Sequence, residues 1–189
     1  MTALVHYLAS IPRILTETII LDADIATIAQ DLTQHSDATL LGRGIHYPIA
    51  LEAGHRLKEI SFMHAGGYAA GELKHRSIAL NRPDMPVIVF DSVGLLQEKT
   101  LSNAAEVKVR GARLWHFGHH TDDGIRRTKC AEIVALFSYA VVTQMLAYHA
   151  ALAPGQISTN PAISENLQRW SSLLPLQGKR WLAMRSTAT

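Results

Sequence analysis

The stretch that decides the fold is residues 41–80, LGRGIHYPIALEAGHRLKEISFMHAGGYAAGELKHRSIAL. A short apolar run stops at Gly42, Arg43 and Gly44, and apolar residues then recur at helical spacing over 47–63. This order predicts a strand, a glycine turn, an amphipathic helix and a returning strand. Since ligands of parallel α/β sheets bind at the carboxyl ends of the strands, it also predicts a pocket at the turn.

The flanking sequence continues the alternation of strands and helices. Helices are predicted at 3–19, 23–34, 93–110 and 132–152, and strands at 38–41, 86–90 and 113–117. Pro12 should kink the first helix, and Asp22 or Asp24 should cap the second. The pattern favours an α/β fold with one parallel sheet of about four to five strands and helices on both faces. Residues 1–153 form this single domain, and 154–189, broken by prolines, form an irregular tail.

The composition excludes several classes of protein. The 189 residues are 48% hydrophobic, which argues against disorder, and the formal net charge of +2 is too small for a nucleic-acid surface. The single Cys130 fits a reducing compartment, so we expect a cytoplasmic protein. We expect no signal peptide at the N-terminus and no membrane span, because the longest apolar stretch, 133–152, carries polar residues and is typical of a buried helix.

Three charged side chains share one face of the predicted helix over 47–63. Glu52 precedes Arg56 by four residues, and Arg56 precedes Glu59 by three. A solvated stripe of ion pairs is one interpretation of this spacing. The other is a catalytic face beside the glycine turn, where Glu59 would move a proton between adjacent carbons of a ketose and the Arg56 cation would steady an enediolate oxygen.

The loop that follows carries Glu72, Lys74 and His75. His75 could open a sugar ring as an acid or base because imidazole titrates near neutral pH, and a capping or surface histidine is the alternative. We expect Gly42, Arg43 and Gly44 to bind substrate, because small residues before a helix let an anion approach its free N–H groups; a tight turn alone is the alternative. Glu52, Glu72 and Lys74 complete the predicted substrate-binding set.

A second group of polar side chains follows the third predicted strand and comprises His116, His119, His120, Asp122 and Asp123. These are residue types that bind divalent metals. Their spacing falls on a loop without fixed geometry, so we expect a solvated loop and no metal site. No cofactor is expected either.

The run LGRGxxYPxALExxxxLKEISxxHAxxYAAGELKH resembles the second SIS (sugar isomerase) domain of isomerising glutamine:fructose-6-phosphate aminotransferases. Looser similarity extends over about residues 3–153. The resemblance implies a parallel sheet between helices. It also implies that Glu59 moves the proton between C1 and C2 of a sugar phosphate, and that His75 opens the ring at the active site of a neighbouring subunit.

The chain departs from that family at several points. Arg56 stands where the family has a catalytic lysine, and an arginine stays protonated, so it cannot act as an amine base. Arg76 and Ser77 replace the Gly-Pro pair after the histidine, and the segment 118–131 is short enough that an edge strand is expected to be missing or degraded. The family's glutaminase domain and first SIS domain have no counterpart in these residues.

Three functions are compatible with these observations. The first is an isomerase half-site that acts on a phosphosugar, as a homodimer or with a chain that carries the first SIS domain and the glutaminase. The second is a noncatalytic SIS module that binds a phosphosugar or mediates dimerisation. The third is an inactive fragment of the synthase.

Overall fold

The computed structural model describes residues 2–61, 63–72, 84–91, 94–119 and 124–153. The helices in these ranges are α1 (Thr2–Ile20), α2 (Asp22–Leu32), α3 (Tyr47–Ser61), α4 (Gln97–Val109) and α5 (Glu132–Leu152). The strands are β1 (Asp37–Gly42), β2 (His64–Ala69), β3 (Pro86–Phe90), β4 (Arg113–Gly118) and β5 (Gly124–Arg126). Short 3₁₀ turns lie at Gly44–His46, Ala70–Glu72 and Gly94–Leu96.

The five strands form one parallel sheet in the order β2-β1-β3-β4-β5. All five residues of the central strand β3 are buried, as expected for a strand covered on both faces. The register aligns Gly42 with Phe90 and Phe90 with Phe117, so the carboxyl ends of β1, β3 and β4 lie side by side. The predicted α/β fold with a parallel sheet is confirmed.

Helices cover both faces of the sheet. On one face α2, α3 and α5 bury a large apolar cluster that includes Leu32, Leu57, Phe90 and Leu146. On the other face α4 packs on a smaller cluster around Val89 and Ala104. Burying an aliphatic or aromatic side chain of this size contributes about 2 kcal/mol, so the larger cluster supplies most of the hydrophobic stabilisation.

Two stretches of the described residues are long and apolar enough to cross a membrane by length and composition alone. One is α5; the other is α1 and α2 taken together across a 56° bend. More than half of α5 is buried inside the domain, where it packs against α1, α2 and α3. This burial is what the core helix of an α/β domain requires.

Some local predictions need correction. The edge strand expected to be missing or degraded is present, but it is reduced to the three residues of β5. Neither Asp22 nor Asp24 caps α2: the cap is Leu21, without a side-chain hydrogen bond, and the Asp22 carboxylate lies 2.6 Å from His149 Nε2 instead. Pro12 lies inside α1, and the kink expected there stays a prediction. The predicted tail lies outside the described residues.

Candidate functional site

The glycine turn joins β1 to α3 through the 3₁₀ turn Gly44–His46. A Cβ on Gly42 would collide with the backbone oxygen of His46. Gly44 has a φ of 58°, a conformation that favours glycine. The turn itself therefore requires both glycines, and substrate binding by Gly42 and Gly44 stays a prediction.

The turn Ala70–Glu72, which follows β2, lies close to the glycine turn at Arg43. Its Nη2 atom lies 3.3 Å from the point where a Cβ on Gly71 would stand. Gly71 and the exposed Glu72 belong to the 3₁₀ turn that follows β2. The carboxyl ends of β1 and β2 thus bring Arg43 beside the turn that carries Glu72. Lys74 and His75 lie outside the described residues, and their roles remain predictions.

The charged face of α3 is formed as predicted. Arg56 Nε donates to Glu52 Oε1 at 2.6 Å, and Arg56 Nη1 lies 3.8 Å from Glu59 Oε2. His55, one turn before Glu59, places its Nε2 atom 3.1 Å from Glu59 Oε1. Each oxygen of the Glu59 carboxylate therefore lies near a different basic side chain. His55 was not among the residues predicted for the site, although its spacing of four residues from Glu59 was a usable signal.

This face is open. The Glu59 and Glu52 side chains are each 46% exposed, and that of Arg56 is 30% exposed. Ion pairs with this exposure contribute little to stability, about 0.5 kcal/mol each. The stability of the fold therefore does not explain why Glu52, His55, Arg56 and Glu59 share this face. A role in binding or in chemistry is the other explanation.

An open cavity of about 510 Å³ borders the same face, between α3 and the edge strand β2. Its lining comprises Pro48, Leu51, Glu52, Gly54, His55, Lys58, Gly66, Gly67 and Tyr68. α3 and β2 approach closely here, because a Cβ on Gly54 would stand only 2.9 Å from Gly67 N. Glu52 and His55 belong to both the charged face and the cavity wall, so the two form one continuous surface.

A buried pair lies at the carboxyl ends of β3 and β4. Asp91 Oδ1 is 3.2 Å from His116 Nδ1, and the Asp91 side chain has no exposed surface. A Cβ on Gly118 would collide with Asp91 Oδ2, so glycine is needed there. The described residues contain no group of three or more His, Cys, Asp or Glu side chains that could hold a metal. His116, which was considered as a metal ligand, instead connects two strands.

A second buried group ties the glycine turn to α5. Tyr139 donates a 2.9 Å hydrogen bond to the Asp91 carbonyl and accepts one from Arg127 Nε at 3.0 Å. Burial raises the pKa of Tyr139, so its hydroxyl stays protonated. The fully buried His46 ring stands edge-on to Tyr139, with 5.2 Å between the ring centres. No local pattern in the sequence indicates this group, because its members come from distant segments.

Burial and, secondly, the Arg127 charge lower the pKa of His46 from 6.5 to about 4. Glu132 lies 3.6 Å from His46 Nε2 and acts in the opposite direction. The Glu132 side chain is 36% exposed, so solvent weakens its attraction and burial prevails. His46 is therefore neutral at pH 7 and supports the turn by packing.

Comparison with known proteins places this architecture in a family. Residues 31–154 match the family described as SIS domain, and the chain belongs to it. It is 41% identical over 160 residues to the isomerising glutamine–fructose-6-phosphate aminotransferase of Vibrio cholerae and 42% identical over 160 residues to that of Escherichia coli K12; each match covers 80% of this chain. The solved C-terminal domain of glucosamine-fructose-6-phosphate aminotransferase from Francisella tularensis is 33% identical, has a TM-score of 0.72, and is matched over 77% of this chain and 43% of that one.

These similarities confirm the predicted resemblance: the chain is a SIS domain similar to the C-terminal domain of an isomerising aminotransferase. It spans about a quarter of the length of the curated relatives, 26% in both matches.

Proposed function

We propose that this chain supplies the proton-transfer half of a sugar-phosphate isomerase site, with Glu59 as the base. The observation that carries the proposal is the position of the Glu59 carboxylate. It lies between His55 and Arg56 on the open side of α3, beside a cavity of about 510 Å³. The similarity to isomerising aminotransferases supports a phosphorylated ketose, fructose 6-phosphate, as the substrate.

The chemistry follows from the residue types. The Glu59 carboxylate removes the proton from C1 or C2 of the open-chain sugar phosphate and returns it to the neighbouring carbon. The enediolate formed between these steps carries negative charge on oxygen, and the permanently charged Arg56 stabilises it. Arg56 does not exchange protons, so Glu59 moves the carbon-bound proton without it. His75 is proposed to open the ring beforehand.

The charged face of α3 is too exposed for this chemistry unless another protein surface covers it. A carbanion-like intermediate needs a site that excludes water, and nearly half of the Glu59 side chain is exposed. We propose that a second copy of the chain, or a chain that carries a first SIS domain and a glutaminase, closes the site in a cytoplasmic enzyme. The complete reaction would then be the formation of glucosamine 6-phosphate from fructose 6-phosphate and glutamine.

A second function, noncatalytic binding of a phosphosugar, is favoured by one observation. Arg56 occupies the place where the resemblance implies a titratable amine, and it is engaged with Glu52 at 2.6 Å. A domain with this change would keep its ligand and its dimer contacts without turnover.

The test is deuterium incorporation in D₂O at C1 of fructose 6-phosphate and at C2 of the glucose 6-phosphate formed from it, followed by proton NMR with the full chain. Incorporation is expected with the natural chain and should fall at least about hundredfold in Glu59→Gln. Glu98→Gln, an exposed change at the start of α4, is the matched control and should retain the natural rate. Binding of the sugar phosphate without any incorporation would select the noncatalytic function.

A further inference from the structure

One side of α1 is apolar and exposed. Residues 3–9 are all exposed, and within this segment Leu4, Val5 and Leu8 are each more than half exposed. Ile19, near the other end of the helix, is also more than half exposed. Helical spacing places these four side chains on the same side of α1. A helical segment as short as residues 3–9 is marginal in water without tertiary contacts, so its exposure indicates that another surface covers it.

The other sides of α1 contact residues of the same chain. Of the side chains at positions 3–20, only Ile14 and Thr18 are buried, and Thr18 Oγ1 lies 2.8 Å from Ser138 Oγ of α5. On the polar side, Arg13 Nη1 donates to Glu17 Oε1 at 2.6 Å. Residues 2–12 contain no Asp, Glu, Lys or Arg. The exposed apolar side is therefore uncharged, and it suits a partner surface that is also apolar and uncharged.

Two exposed apolar side chains of α5 lie next to this side of α1. Ile133 and Phe137, one turn apart on α5, are each nearly half exposed, although most of the helix is buried in the core. The two helices run in the same direction, because Ser138, near the start of α5, contacts α1 itself, whereas His149, near its end, lies 2.6 Å from Asp22 just after α1. With this parallel packing, helical spacing directs the exposed apolar sides of both helices away from the sheet.

Large apolar side chains of the two helices thus form one exposed surface, the outer apolar face, which comprises Leu4, Val5, Leu8, Ile19, Ile133 and Phe137. Together they expose on the order of 600 Å², which is close to the roughly 800 Å² per partner that a stable interface buries. We propose that the outer apolar face binds the same face of a second copy of this chain. A twofold axis brings two identical, uncharged helical stripes together in antiparallel orientation, so the contact is self-complementary and closes as a dimer.

A lipid surface fits the outer apolar face less well. Helices that lie at a membrane interface are rich in Lys and Arg on their polar side. α1 has a single Lys or Arg residue, Arg13, and Glu17 neutralises it at 2.6 Å. A second copy of the chain is therefore the favoured occupant.

Pairing through the outer apolar face also affects the charged face of α3. α3 packs against α5 in the layer of helices that covers one face of the sheet. A second copy bound to α5 therefore stands beside Glu52, Arg56 and Glu59, where proton transfer requires a cover. This consequence rests on the proposed function, whereas the pairing of two copies does not.

The test is sedimentation equilibrium of the full chain over a range of concentrations. The natural chain is expected to have twice its chain mass of 20.8 kDa. Leu8→Glu and Phe137→Glu should each raise the dissociation constant of the dimer at least about hundredfold, because each buries two unpaired carboxylates at a twofold interface. These variants lie on different helices, and circular dichroism verifies that each is folded. Val109→Glu, an equal change at the exposed end of α4 on the other face of the sheet, should leave the dimer intact.

A natural chain that stays monomeric, or that binds phosphatidylcholine vesicles as a monomer, would overturn the proposal. So would growth into larger oligomers with rising concentration, or a dimer that Leu8→Glu and Phe137→Glu weaken no more than Val109→Glu does. Deuterium incorporation measured at the same concentrations separates this inference from the proposed function. A dimer without incorporation refutes the isomerase proposal alone, and incorporation by a natural chain that is monomeric refutes the dimer alone.

Discussion

His46 should make the stability of this domain sensitive to mild acid. Its folded-state pKa of about 4 lies below the ordinary value of 6.5. The neutral ring therefore contributes its full stability above pH 6.5, and this contribution is lost as the pH falls toward 4. With these two values, the folded state loses about 2 kcal/mol from this residue between about pH 7.5 and 5.

The perturbation that isolates this effect is His46→Phe. Phenylalanine keeps an aromatic ring beside Tyr139 and removes both the titration and a buried N–H without a partner. The assay is urea unfolding followed by tryptophan fluorescence, with the free energy of unfolding extrapolated to water at each pH. The natural chain should lose about 2 kcal/mol more than His46→Phe over this range.

A matched control is His64→Gln, since His64 is exposed at the start of β2. This variant should show the same pH dependence as the natural chain. Equal losses in the natural chain and in His46→Phe would refute the reasoning. A gain of stability by the natural chain on acidification would show that the attraction of Glu132, 3.6 Å from the ring, outweighs burial.

Three further changes test the turn, the buried group and the charged face. Tyr139→Phe should lower the free energy of unfolding by about 2–3 kcal/mol, measured by urea unfolding, because it leaves the Arg127 guanidinium without its hydroxyl acceptor; a loss below about 0.5 kcal/mol would contradict this. Gly44→Ala should cost about 1–2 kcal/mol in the same assay, because its φ of 58° strains a side-chain-bearing residue; unchanged stability would contradict it. Arg56→Met should slow deuterium incorporation about hundredfold, whereas Arg56→Lys should retain it within about tenfold; equal rates in both variants would exclude stabilisation by the cation.

The fold could be predicted from local pattern because each element carries its own signal. The β-branched run of β3, the apolar periodicity of α3 and the long apolar run of α5 all lie where the sequence placed them. β5 escaped prediction because a three-residue strand has too few side chains to show alternation. Its existence depends on pairing with β4, which is a tertiary property.

Only the part of the candidate site that lies on α3 could be predicted from the sequence. Glu52, Arg56 and Glu59 meet because helical spacing brings them together, and sequence alone shows that spacing. The Asp91–His116 pair connects two strands, and its two residues are separated by the whole of α4. The cavity beside Lys58 depends on how closely glycines let α3 approach β2. Neither feature has a local signature.

The two edges of the sheet differ in their capacity to recruit another strand. β5 offers only three residues for pairing and carries the exposed cation Arg126. Short, charged edges of this kind discourage uncontrolled polymerisation of sheets, which is a hazard for any open parallel sheet. β2 exposes a six-residue edge that contains two glycines. Among the described strands, aggregation through strand addition is thus expected to begin at β2.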